Sequence, residues 1–432
     1  MACASLVRFW ITLILVVLLA TVSTEAQSKS RDAKAKAKPS KSAAKSKESG
    51  PAEYRSKHFL VHTDLPPDDA RELLKKLETM IALISRYWGR PSGGVIECYV
   101  VDDLDNWPPG SLNESGLKAI RGGAGVTKSM LRTDGVRFQS KATVFAVAEG
   151  GTPLHEAVHA YCTHAFGTCG PVWYAEGMAE MGHYWRENDR SVHCDPRVSQ
   201  YLRESEPKNL LEIAAADQLS GDSWQNYAWR WALCHLLANN TNYSQRFLPL
   251  GIGLLTKQDV SFEQVYGSMD REVSFEYLFF LKHVEPGYRV DLCSWDWKTK
   301  YIRPKNGAAV TSKIDAGKGW QPSRLRLTKD EEYEYSAAGK WQLAKDAEPC
   351  DANGDSDRHG KLVGIIFEDY QLSEPFELGT HGSFTAPQDG ELLLRCNDAF
   401  ANIADNSGFM KVKLKVNGEG KPLPEPEATA GR

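Results

Sequence analysis

Residues 141–187 read KATVFAVAEGGTPLHEAVHAYCTHAFGTCGPVWYAEGMAEMGHYWRE, and the fold turns on how they are parsed. KATVFAVA (141–148) is a β-branched and aromatic run that reads as a strand, stopped by Glu149-Gly150-Gly151. Thr152 then suits an N-cap, with Pro153 at the first helical position, and a helix runs through LHEAVHAYCTHAF to Gly167. WYAEGMAEMGHYWRE forms a second helix, and its small residues Gly177 and Ala179 let it approach the first closely. Residues four apart share a helix face, so His155 and His159 present their imidazoles side by side, with Glu156 next to them.

Upstream, HFLVH from His58 reads as a short strand. DDARELLKKLETMIALISRYWG repeats its apolar residues at helical spacing until Gly89, and VIECYVV (95–101) is another strand. An αβ layer therefore begins the domain. Residues 102–125, rich in Pro, Gly, Asp and Asn, read as a loop, either shaping a cleft or only connecting. Downstream come helical stretches at SWQNYAWRWALCHLLAN, YSQRFLPLGIGLL and REVSFEYLFFLKHV. After Pro286-Gly287 the texture becomes short alternating runs split by Gly, Asn and Asp turns, as in an all-β sandwich. The fold class expected is α+β, with an N-terminal αβ layer and a mainly helical second half, followed by that sandwich.

Length and composition agree with two domains. The chain has 432 residues, 42% hydrophobic and 25% charged, which excludes disorder throughout and a polytopic membrane protein. Residues 9–20 (FWITLILVVLLA), followed by TVSTEAQ, suit a secretory signal peptide over 1–26, the alternative being an uncleaved anchor. No later run is long enough to span a bilayer. Residues 27–50 hold eight Lys or Arg against Asp32 and Glu48, a +6 tether that hides inside a formal net charge of -4. The tether is either a solvated spacer or an adhesive for anionic polymer. No aromatic residue is interleaved to stack on bases, so nucleic acid is not an expected partner. The expected layout is 51–295 for the first domain, 296–418 for the sandwich and 419–432 for a disordered tail, in a secreted or periplasmic protein. Of nine cysteines, Cys3 leaves with the signal peptide. A local bridge among Cys162, Cys169 and Cys194 is the best single guess for a disulfide. Nothing in the pattern specifies an oligomeric state.

His155-Glu156-Ala157-Val158-His159 is an HExxH motif, a pair of helix-borne imidazoles suited to zinc, which needs a third protein ligand and an open position. Glu176 stands seventeen residues after His159, in WYAEGMAE. With that context the chain, over about residues 55–285, resembles the glutamate-zincin metallopeptidases, and most of all the extracytoplasmic peptidase-MA-like proteins. The resemblance implies a zincin-like fold, with His155, His159 and Glu176 binding zinc. It also implies that Glu156 is the general base and that Glu180 accepts the outer N–H of a ligand histidine. No GAMEN-type segment is present, so an endopeptidase acting on a peptide or protein substrate is the default. Related enzymes pair an extended substrate by strand addition where KATVFAVA stands; a plain core strand is the competing reading. Tyr227 is the candidate oxyanion stabiliser, with His183 and His235 as rivals and core packing as the alternative for each. His164 and Cys162 read as structural.

Residues from about 305 to 416, with GELLLRCNDAF and the Asn406-Ser407-Gly408 turn, resemble the galactophilic calcium lectins and their jelly-roll relatives. That resemblance implies Ca2+ held by Asp398, Asp405 and Asn406 with a carbonyl from Asn402, and a glycan partner. The sugar-contacting tyrosine of that family is absent, Leu343 and Ala344 standing near its position, and turn chemistry alone is the alternative. A zinc-dependent peptidase is thus the leading expectation. A non-catalytic, envelope-associated glycan-binding or scaffold protein that keeps the zincin fold is the alternative.

Overall fold

The computed structural model describes residues 50–133, 138–215, 223–304 and 307–417. The segments expected to be a signal peptide and a C-terminal tail, and nearly all of the expected tether, lie outside them. The described residues form one compact unit. It opens with β1 (Ala52–Arg55), β2 (Phe59–Thr63), α1 (Pro67–Trp88), β3 (Ile96–Val101), α2 (Glu114–Arg121), β4 (Gly125–Thr133) and β5 (Phe138–Val147). The strands make one sheet in the order β1-β2-β3-β5-β4, with β2, β3 and β5 parallel and the outer two antiparallel.

Alternation along these strands feeds two cores, because successive side chains leave opposite faces. Phe59, Val61, Ile96, Cys98, Val100, Ala142, Val144 and Ala146 face α1 and the helices that follow. Val101 and Phe145 face the other way and pack with Trp107 and Ile120. α2 comes so close that a Cβ on Gly116 would lie 2.5 Å from the Phe145 ring. The segment expected to be a loop therefore covers the second face of the sheet. Its start is pinned by the Asp64 carboxylate, which accepts from Asp102 N, Asp103 N, Asn106 Nδ2 and Trp107 Nε1 at 2.8–3.0 Å.

Two sequence expectations need correction. KATVFAVA lies inside β5, an interior strand with β3 on one side and β4 on the other, so it has no free edge for a substrate. The edge belongs to β4, which the sequence reading did not anticipate. The helix α3 (Thr152–Phe166) is capped by Gly151 at φ 76°, not by Thr152. His155 N already donates to Gly151 O at 3.1 Å, which draws Thr152 into the first turn.

α3 is followed by α4 (Val172–Tyr184), α5 (Pro196–Glu204), α6 (Leu210–Ala214), α7 (Trp224–Asn239), α8 (Ser244–Leu255), α9 (Phe262–Tyr266), α10 (Asp270–His283) and α11 (Val290–Cys293). The remainder is all β. One sheet runs β10-β9-β13-β7, with β11 also on β9, and the other runs β12-β8-β14-β6. Here β6 is Ala309–Asp315, β7 Gln321–Leu327, β8 Glu332–Gln342, β9 Leu362–Glu368, β10 Gln371–Leu372, β11 Phe376–Glu377, β12 His381–Thr385, β13 Gly390–Cys396 and β14 Ser407–Val416. Leu325, Leu362, Ile366, Leu392 and Leu394 from the first sheet share one core with Ile314, Trp341, Met410, Val412 and Leu414 from the second.

Helices and sandwich are joined around one buried carboxylate. Glu276, on α10, accepts from Asn240 Nδ2 (2.5 Å), Asn242 Nδ2 (2.9 Å), Tyr243 OH (2.7 Å), Trp295 N (3.0 Å) and Trp297 Nε1 (2.8 Å). Burial pushes its carboxyl above the usual range, against the pull of those donors. Beside it Phe275 and Trp295 pack with Val363, Ile365, Phe367 and Leu393 of the sandwich. Truncation to Glu276→Ala leaves several buried donors unmet, each costing about 1–3 kcal/mol. Urea denaturation should therefore show a loss of at least about 3 kcal/mol; a loss within ~0.5 kcal/mol of zero, the size of an ordinary surface change, would remove the cluster's role.

Candidate metal centre

The two helices of the opening stretch deliver three ligand atoms to one point. His155 Nε2 lies 3.2 Å from His159 Nε2 and 3.1 Å from Glu176 Oε2, and His159 Nε2 lies 3.4 Å from that oxygen. Among the described residues this is the one group of three or more His, Cys, Asp or Glu that could hold a metal ion. The outer face of His155 is also settled, since its Nδ1 meets Glu180 Oε1 at 2.9 Å. A carboxylate there accepts a hydrogen bond from Nδ1–H, so the neutral ring turns a lone pair, not an N–H, toward the other two side chains.

α4 is seated by its glycines, in a manner that differs from the sequence reading. A Cβ on Gly177 would meet Cys234 Sγ at 2.4 Å and Arg230 O at 2.7 Å, both on α7, so Gly177 faces away from the metal helix. Gly182 makes the close approach to α3, 2.4 Å from Val158 Cγ2 by the same measure. α4 is thus clasped between α3 and α7, and Glu176 is held at a fixed reach.

Three acceptors converging in a mostly buried site repel one another unless a cation lies between them. Metal bonds of about 2.0–2.2 Å in tetrahedral geometry separate neighbouring donors by about 3.3–3.5 Å, close to the spacing found here. The donor set, two imidazole nitrogens and one carboxylate, fits a divalent ion such as zinc. When only protons are available the same convergence captures them. Burial alone would push His155 down, but Glu176 and Glu180 outweigh it and hold the ring up at about 9; His159 is raised well above its ordinary value. Burial alone would raise the two carboxyls, yet the imidazoles keep Glu176 well below the usual range and Glu180 at about 2.

Glu156 is buried beside the ligands, and Thr127 Oγ1 on β4 lies 2.8 Å from both its Oε2 and its backbone carbonyl. Tyr227, in the first turn of α7, sets its ring 5.5 Å from that of His155. The rival His235 is buried elsewhere, stacked on Phe280 and pushed down to about 3 by burial, so it takes no part in the site. His183 lies closer, with its Nδ1 3.8 Å from Glu180 Oε2. A cavity of about 780 Å³ opens along Glu180, Tyr227 and Trp224, and a second of about 900 Å³ runs along Leu65, Met80 and Leu154. Gly151, His183 and Arg186 border both. His164 accepts from Ala142 N at 3.0 Å, a structural contact.

The cysteines depart from expectation, all eight in the described residues being free. Cys162 and Cys169 hydrogen-bond rather than forming the bridge, and Cys162 is accommodated as a small buried side chain. In the sandwich, Asp398 and Asn406 meet, Asn406 Nδ2 donating to Asp398 Oδ2 at 2.9 Å, while Asp398 Oδ1 accepts from Ala399 N at 2.7 Å. Asp398, Asn402 and Asp405 line a cavity of about 680 Å³ shared with Asp189 and Arg289 of the helical part.

No family model matches the chain, and no curated protein matches it. Among solved structures, "EclA N-terminal domain; PllA-like lectin" is 19% identical, covers 25% of this chain and 95% of its own, and has a TM-score of 0.21. "Structure of IMPa from Pseudomonas aeruginosa in complex with an O-glycopeptide" is 11% identical over 50% of this chain, with a TM-score of 0.17. The match spans 26% of that second protein. Similarities at this level establish neither fold nor function here.

The raised imidazoles set the sign of a pH effect. In the metal-free protein at pH 7.5 His155 is protonated, because its value lies near 9. Metal must displace that proton. Zinc uptake should therefore release protons and tighten as pH rises toward 9, read by calorimetry in buffers of different ionisation heat. Uptake without proton release over that range would contradict the site as described.

Proposed function

We propose that this protein is a zinc-dependent endopeptidase working outside the cytoplasm. The observation that carries the reading is the convergence of His155, His159 and Glu176 on one point, with Glu156 buried next to His155 on the same helix. A zinc ion held there would supply Lewis-acid polarisation of a peptide carbonyl and lower the pKa of attacking water. Glu156 would be the base that accepts a proton from the attacking water and returns it to the departing amine. Glu180 keeps the lone pair of His155 turned inward, and Tyr227 is the donor offered to charge developing on the carbonyl oxygen. An extended substrate adds to the outer edge of β4, which ends its sheet and contacts the metal helix. The cavity along Glu180 and Tyr227 offers space for a substrate next to the group of His155, His159 and Glu176, and it shares Gly151, His183 and Arg186 with the second cavity.

Glu156→Gln tests the chemistry. The variant should bind zinc in full and lose about 10²–10⁴-fold in turnover of a peptide library, the usual contribution of a general base. Unchanged cleavage with metal in place would sink the mechanism.

On the same reading residues 296–418 serve recognition, with calcium at Asp398, Asn402, Asp405 and Asn406 and a glycan as ligand. Support comes from three of these residues sharing the wall of one cavity. Calcium added to the full chain should raise its melting temperature, and Asp398→Asn with Asp405→Asn should abolish the rise. The absence of any calcium effect on the wild type would leave the sandwich as a docking or spacing module.

A further inference from the structure

We infer that Thr127, on the edge strand β4, is a positioning residue for Glu156, a role that rests on the peptidase reading above. Its hydroxyl lies 2.8 Å from Glu156 Oε2 and 2.8 Å from Glu156 O, so one side chain on the strand grips both the carboxylate and the backbone of the same residue on the helix. A hydroxyl carries one hydrogen to donate, and the two acceptors bracket it.

The strand is built to come this close. A Cβ on Gly125 would lie 2.6 Å from Glu156 Cγ and 2.8 Å from Thr152 Cγ2, so only glycine lets β4 reach the helix there. Glu156 is 8% exposed, and its side chain lies against this strand. A carboxylate with three rotatable side-chain torsions has several staggered positions, and only some face the open side of the metal centre. The Thr127 hydroxyl selects among them without touching substrate or metal. β4 is also the edge on which the substrate is proposed to lie, so one strand holds both the base and the chain to be cut.

Two variants separate this role from plain packing. Thr127→Val keeps the shape and removes the hydroxyl; Thr127→Ser keeps the hydroxyl and removes the methyl. A displacement of about 1 Å at a reacting group can cost ~10²-fold in rate. Thr127→Val should therefore lose about 10²-fold in kcat, with KM little changed and zinc content intact, while Thr127→Ser keeps most of the activity. Crystal structures of both should show the Glu156 carboxylate displaced in the valine variant and in place in the serine variant. Equal losses in the two variants, full kcat in Thr127→Val, or an unmoved carboxylate in that variant would each overturn the role. If the wild type itself cleaves nothing, the peptidase reading falls, and the two crystal structures still decide whether Thr127 positions Glu156.

Discussion

Three electron-rich atoms meeting a little over 3 Å apart are the constraint on which the rest of this architecture depends. Lone pairs on two imidazoles and a carboxylate oxygen do not gather in a buried space of their own accord. They stay there because the helices that carry them are held in place. His155 and His159 are one helical turn apart on α3, Glu180 accepts a hydrogen bond from the outer N–H of His155, and Glu176 rides a helix clasped on both sides. The arrangement is stable only with positive charge at its centre, whether protons or a metal ion. That need ties the electrostatics of the site to its helix packing.

Helix packing in turn explains where bulk was left out. α4 carries glycine at the two places where a side chain would push it off a neighbour, Gly177 against α7 and Gly182 against α3. Gly151 serves a third purpose, since a Cβ there would lie 1.9 Å from His183 Nε2. His183 can then lie against the start of the metal helix, where the two cavities meet. The positive φ of Gly151 adds a backbone reason for the same residue.

Much of the centre was legible in the sequence because its signals are local. The spacing of His155 and His159 fixes a shared face, and the tryptophan, tyrosine and small residues around Glu176 mark a helix that must pack. What escaped is non-local. GVTKSMLRT has too few apolar residues to announce a strand; β4 exists because nine residues pair with β5, and only that pairing brings Thr127 to Glu156. Glu276 looks like one more acid on an amphipathic helix until donors from residues 240–243 and 295–297 close around it. Assigning Gly177 to α3 failed for a similar reason, since a small residue marks a close neighbour without saying which one.

The Glu276 cluster also bears on how such a chain can be taken apart or recombined. Its donors straddle the place where the helices give way to strands, so a cut near residue 295 would run through a shared polar core, not along a linker. A sandwich excised there would carry away two tryptophan contacts and expose the aromatic face of Phe275. The two parts are therefore poor candidates for module exchange by simple fusion at that point, and a change of sandwich would have to bring its own partner for the buried acid.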